Sequence, residues 1–362
     1  MESSFFFGLS TMAYILAMVV YVVHIAFRKK AIGVLATGLT VFGFAAQTLS
    51  IGLRWWENHL AGMDFLRSIP ISNLYESLVF FVWCLIFGYL LVEFRYKNRS
   101  FGAFVTPVAG IVLLFISLSG MSTQIEPLVP ALQSNWLLAH VTLSFLSYSA
   151  FGLAFSTGLM YLVATSEKKT DGAYVFWTIS LGLLISVLLA MGLDYIRFRG
   201  AGLAPVSGAF IKDYLFKSSF ENGSGLVRLI SYAAAALVVF LTWRYGISLK
   251  RVIGSFNLQP GVLDEVTYKS IAVGFPIFTL GALIFGAIWA NQAWGVYWSW
   301  DPKETWSLIT WFIYAFYLHA RFLRGWRGRK IAMVAVVGFV AVAFTYLGVN
   351  LLLSGLHSYG SQ

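Results

Sequence analysis

Phe5–Phe27 reads FFFGLSTMAYILAMVVYVVHIAF, and no residue in it carries a charge. A bilayer's hydrocarbon core is ~30 Å thick and takes ~20 apolar residues at ~1.5 Å rise each, so this run is long enough to cross it. Lipid offers no water to the backbone N–H and C=O groups, so a crossing run must bond itself and becomes a helix. Arg28, Lys29 and Lys30 close the run, and a second apolar stretch begins at once. Nothing basic precedes it in Met1–Gly8, which argues against a cleaved secretory leader.

The pattern repeats along the chain. Ten spans are expected, over 5–27, 31–53, 73–92, 101–120, 137–164, 174–193, 229–245, 270–289, 306–320 and 331–353. The expected fold is therefore all-α, a polytopic transmembrane helical protein. Composition agrees: of 362 residues 59% are hydrophobic and 11% charged, more apolar surface than a soluble domain of this size can bury. The net charge of +10 comes with no basic stripe or soluble domain, so it is read as a membrane orientation signal and not as a nucleic-acid surface. Alternate threading from an outside N-terminus places 17 Lys and Arg inside and 8 outside, with both termini out. Cys84, the single cysteine, lies in an apolar run, so thiol chemistry must come from partner proteins.

Residues 173–246 are the ambiguous part of this map. Their connecting loop holds Arg197, Arg199, Lys212, Lys217 and Arg228, five of the eight outside charges, so the pair reads either as two spans or as a re-entrant excursion. Asn222–Gly225 is the only linker-like stretch, and residues 1–362 are taken as one membrane domain.

Function is concentrated in Trp289–Trp311, WANQAWGVYWSWDPKETWSLITW, which holds six of the thirteen tryptophans. An interfacial aromatic belt spreads over many helix ends. Here Trp294, Trp298 and Trp300 crowd one connection on the outer side, a surface suited to a flat apolar macrocycle such as haem. Asp301, Pro302 and Glu304 form a capping-box pattern for the ninth span. The helix start and Lys303 also offer positive charge to haem propionates.

Five histidines complete the picture. His24 and His59 have ordinary interfacial settings. His140 opens the fifth span on the outer side, with Ser144, Ser147 and Tyr148 following at helical spacing, a polar stripe that must face protein or a cavity. His357 follows the last span, also outside, so two histidines flank the tryptophan segment as a bis-imidazole pair would. His319 lies near the inner end of the ninth span and is either a snorkelling interfacial residue or a second haem ligand needing a partner.

These residues together resemble a known family. WGVYWSWDPKETW (Trp294–Trp306), YLHAR (Tyr317–Arg321), GWRG (Gly325–Gly328), GVNLLLSGLHSYG (Gly348–Gly360) and SNLYES (Ser72–Ser77) are similar to the CcsA or ResC family of cytochrome c biogenesis proteins, most strongly from Leu263 to Gly360. The resemblance implies a haem-handling "WWD" domain at residues 289–311, carried by Trp294, Trp298, Trp300 and Asp301, with Trp306 in the same motif. It implies His140 and His357 as external ligands to the iron of haem b and His319 as an intramembrane ligand. It also implies a CcsB or ResB-type partner supplying the other intramembrane histidine, an apocytochrome c with a C-x-x-C-H segment as acceptor, and thiol-reducing proteins. The expected setting is a bacterial cytoplasmic or thylakoid membrane, with the site on its periplasmic or lumenal face.

The expected activity is a share in a holocytochrome c synthase, joining haem vinyl carbons to cysteine thiols. Residues 173–246 stand outside the family's eight-span pattern. A haem exporter without synthase activity, a haem-b electron carrier and a haem chaperone of the multi-component maturation route are the alternatives.

Overall fold

The computed structural model describes residues 2–119, 121, 133–202, 210, 214–221, 223–253 and 259–353. All regular structure among them is helical. In chain order the helices are α1 (Ser3–Phe27), α2 (Lys30–Leu60), α3 (Leu74–Tyr96), α4 (Gly102–Ser119), α5 (Asn135–Thr165), α6 (Gly172–Gly200), α7 (Gly225–Ile253), α8 (Pro260–Phe278), α9 (Gly286–Trp294), α10 (Pro302–Leu323), α11 (Arg329–Ala343) and α12 (Val349–Leu352). Wide π-helical turns, Thr279–Phe285 and Phe344–Gly348, join α8 to α9 and α11 to α12.

Nine helical stretches among the described residues are long and apolar enough to cross a membrane. The remaining expected span, the ninth, is α10, a 22-residue helix that carries Lys303, Glu304, His319 and Arg321. The protein is an integral membrane protein. Several helices outrun their apolar sequence. α2 continues to Leu60 through Arg54, Glu57 and Asn58, and α8 starts at Pro260, ahead of Asp264, Glu265 and Lys269. Hydropathy marks where lipid contact stops; the helix continues wherever protein partners satisfy its polar side chains. Arg54 does so by pairing with Glu76 at 3.1 Å.

The helices alternate between two ends of the bundle. At the basic end Arg321 grips Asp264 with two hydrogen bonds of 2.9 and 2.7 Å, Arg329 reaches Asp171 and Thr165, and Tyr96 meets Glu265. Buried Glu93 accepts from Tyr21, Tyr89 and Thr37 there, with Arg99 at 3.8 Å. At the other end, called the tryptophan end below, Ser3 bonds Glu57, Ser134 bonds Gln292 and Lys303 bonds Asn350.

α5 lies in the middle, touching α3, α4, α6, α8 and α11. Small residues let its backbone approach α8: a Cβ at Gly274 would lie 2.9 Å from the Phe151 ring. The helix pair expected within residues 173–246 is α6 and α7, of 29 residues each and both long and apolar enough to cross a membrane. They close on each other through Gly182, whose added Cβ would lie 2.8 Å from Val239 Cα. The Asp194 carboxylate accepts from Ser219 Oγ at 2.6 Å and the Phe216 amide at 2.8 Å, and Phe210 and Leu215 are buried in the main core.

Candidate functional site

The tryptophan segment takes its shape from two helix ends. α9 stops at Gly295, whose φ of +79° is the left-handed conformation that glycine reaches most cheaply and whose N–H closes on the Asn291 carbonyl at 2.9 Å. The chain then runs without regular structure to Asp301, the N-cap of α10. The expected capping box is present. Asp301 Oδ1 accepts the Lys303 amide at 2.9 Å, while Glu304 Oε2 accepts from the amides of Ser299 and Asp301 at 2.7 and 3.3 Å and from Ser299 Oγ at 3.1 Å.

This cap changes one expectation. Amide donors at the start of α10 are taken up by Asp301 and Glu304, so the anion site read from the helix start is already filled by the chain's own carboxylates. Lys303 turns into the bundle, with Nζ 3.1 Å from Asn350 Oδ1 and 5.3 Å from the centre of the Tyr346 ring.

The tryptophans divide by role. Trp289 is buried at 2% exposure; its ring lies 6.0 Å from His140 at an interplanar angle of 14° and 4.8 Å from Trp294. Trp298 and Trp300 meet edge to face at 5.8 Å. Trp300 is 69% exposed with φ of +60°, and Tyr297 beside it is also exposed. The Trp298 Nε1 donor is buried with no hydrogen-bond partner among the described residues. Trp306 is the fifth residue of α10 and packs on Phe344 at 4.2 Å, on the helix–helix side of the segment.

His140 is half-buried on α5 and bonds through Nδ1 to the Gly281 carbonyl at 2.8 Å. Ser144, Ser147 and Tyr148 below it are buried, so the polar stripe faces protein. His140 and the tryptophan segment therefore come together, through Trp289. His319 does not join them: it is exposed on α10 near the basic end. Exposed Phe312 and Phe316 precede it on that side, beside an apolar groove of ≈ 490 Å³ that Met333, Val334 and Val337 of α11 complete. Arg321, two residues on, is the structural member of the YLHAR motif, since it clamps α10 to Asp264 of α8. His357 lies outside the described residues. His24 bonds the Lys29 carbonyl at 3.0 Å and His59 the Met63 carbonyl at 2.9 Å, local roles in keeping with their ordinary settings.

Among the described residues no three His, Cys, Asp or Glu side chains gather as a bare metal ion would require. One imidazole beside flat aromatic faces suits instead a macrocycle that brings its own four metal ligands. Sequence reasoning took Trp289 only as the first residue of the tryptophan segment and did not single out Gly281 or Gly286. Their only signal is two glycines five residues apart ahead of the tryptophan segment.

Comparison with known proteins supplies the family. Residues 71–357 match the family model described as cytochrome c assembly protein. The chain belongs to the cytochrome c assembly protein family. Among its relatives is the cytochrome c biogenesis protein CcsA of Gloeobacter violaceus, 38% identical over 356 residues, covering 96% of this chain and 93% of the relative. The CcsA of Trichormus variabilis is 40% identical over 352 residues, covering 95% and 94%, and that of Pyropia yezoensis 36% identical over 355 residues, covering 96% and 93%. The family match spans the tryptophan segment, His140 and His319, so these residues lie inside the region shared with cytochrome c assembly proteins.

Proposed function

We propose that this chain holds haem b at its tryptophan end for covalent attachment to apocytochrome c. The observation that carries this reading is His140, held by its Nδ1 bond against Trp289 at the start of the tryptophan segment. With Nδ1 donating to a carbonyl, the neutral ring carries its lone pair on Nε2, the nitrogen suited to iron. His357 would supply the second axial imidazole, and Trp294, Trp298 and Trp300 the aromatic surface. The charge count directs this end outward, to a periplasm or lumen.

The chemistry adds each cysteine S–H of a C-x-x-C-H segment across a haem vinyl C=C. Atoms and electrons balance without an external oxidant. What the chain contributes is positioning: two imidazoles that protect reduced iron, and a rigid loop that offers the macrocycle edge to the peptide. The incoming segment's own histidine then replaces one imidazole. His319 is suited to a separate, deeper site completed by a CcsB or ResB-type partner, because it is exposed on α10 about one turn beyond Phe316 of the apolar groove.

The test is the haem spectrum and pyridine haemochrome of the detergent-purified chain, with and without the partner, beside His140→Ala, His357→Ala and His319→Ala. Low-spin b-type haem that is lost in either outer variant, and altered by His319→Ala only with the partner present, is the expected result. Normal cytochrome c maturation by the double His140→Ala, His357→Ala variant would overturn it.

A further inference from the structure

His140 lies where α5 meets the wide turn Thr279–Phe285, and three features of that turn converge on its ring. The Gly281 carbonyl accepts the Gly286 amide across five residues and also accepts His140 Nδ1 at 2.8 Å. A carbonyl cannot donate, so Nδ1 must carry the hydrogen.

The five-residue step also brings Gly286 over Gly281 on the side facing α5. A Cβ at Gly286 would lie 2.9 Å from His140 Nδ1 and 3.0 Å from Cε1, and one at Gly281 would lie 2.5 Å from Leu143 Cβ. Neither position accepts a methyl group unless α5 or the histidine ring shifts. Three residues past Gly286, Trp289 sets a second boundary, its ring near-parallel to the imidazole at 14°. An uninterrupted α-helix bonds at four residues; it would rotate Gly286 and Trp289 away from this face and return the Gly281 carbonyl to the helix.

We propose that the wide turn and Gly286 form a positioning device for His140, which selects its Nδ1–H tautomer and fixes its ring plane so that Nε2 is the ligating nitrogen. Gly286 and the Gly281 carbonyl act through the imidazole and touch no haem. The use of the device rests on the reading of His140 as a haem ligand; the tautomer does not.

Two measurements separate these. Nitrogen-15 NMR of the histidine-labelled, haem-free full chain in detergent reads the tautomer directly, and with five histidines the His140 signals are assigned by their loss in His140→Ala. The expected wild type shows one Nδ1–H form, and Gly286→Ala a mixture of tautomers. Haem titration followed by low-spin ferric electron paramagnetic resonance then reads affinity and ring orientation. Gly286→Ala is expected to weaken binding about 10–100-fold, as loss of an outer-shell partner does, and to shift the g values of the haem that still binds. A variant that merely folded less well would lower the amount bound and leave the g values alone. In the His140→Ala background, Gly286→Ala should add nothing further.

A wild type with Nε2–H at His140 overturns the inference even if Gly286→Ala does not fold, and leaves the haem reading to its own test. Wild-type affinity and g values in Gly286→Ala overturn it as well. An Nδ1–H wild type whose haem spectrum ignores His140→Ala upholds the tautomer and removes haem as its purpose.

Discussion

Helices α3 and α10 begin with the same chemistry at the same end of the bundle, and the two starts do different work. Asn73 and Asp301 are the N-caps, and Glu76 and Glu304 stand three residues on. At α3 the carboxylate is sealed: Glu76 is 3% exposed, accepts from Ser72 at its amide and hydroxyl, and is met by Arg54 at 3.1 Å and Asn58 at 3.4 Å. At α10 Glu304 has no basic partner among the described residues and instead gathers Ser299 and Asp301, the loop that presents Trp298 and Trp300. The first start locks α2 to α3. The second shapes an exposed aromatic surface. A capping motif thus reports a helix start, and its surroundings decide what that start is for.

The largest effect belongs to the sealed start. Arg54→Ala leaves Glu76 buried without its cation and is expected to cost about 3–5 kcal/mol, read as a lowered melting temperature or lost folded yield in detergent. Haem affinity per folded molecule should stay unchanged.

At the open start Asp301→Ala removes a cap worth about 1 kcal/mol. Its clearer mark should be red-shifted tryptophan fluorescence as the loop loosens, with weaker haem binding. Equal stability losses for the two variants would break the contrast. The smallest stability effect is expected for Trp300→Ala, within about 0.5 kcal/mol as at other exposed sites. A melting temperature close to wild type together with impaired haem binding would sharpen the contrast, whereas a large drop in melting temperature would make Trp300 a structural residue.

The membrane fold was legible because lipid imposes a length and an apolar composition that local sequence reveals. Helix ends such as Arg54–Leu60 were not, since their polar side chains are satisfied by residues distant in the chain. The polar stripe below His140 was legible from its spacing alone. The carbonyl that holds His140 was not: a wide turn has no strong residue signature, and it depends on how α5 and α8 pack. Trp306 shows the converse, a motif residue whose ring packs on Phe344 and supports the helices more than the loop. His319 is exposed near the basic end, a placement that serves a snorkelling interfacial residue and a ligand completed by a partner alike.

The rod from Pro260 to Trp294 has 35 residues, so it is ~52 Å long and exceeds the ~30 Å hydrocarbon layer. Lys269 is its last charged side chain before Asp301, which sets Trp289 near one water boundary. Gly286 stands three residues short of that tryptophan and the His140 ring lies 6.0 Å from the Trp289 ring, so His140 sits roughly 5 Å beneath its level. On the proposed reading, a folded cytochrome could not bring its cysteines there. Only an extended segment could dip among the lipid headgroups to the haem edge, so attachment would have to precede the acceptor's own folding.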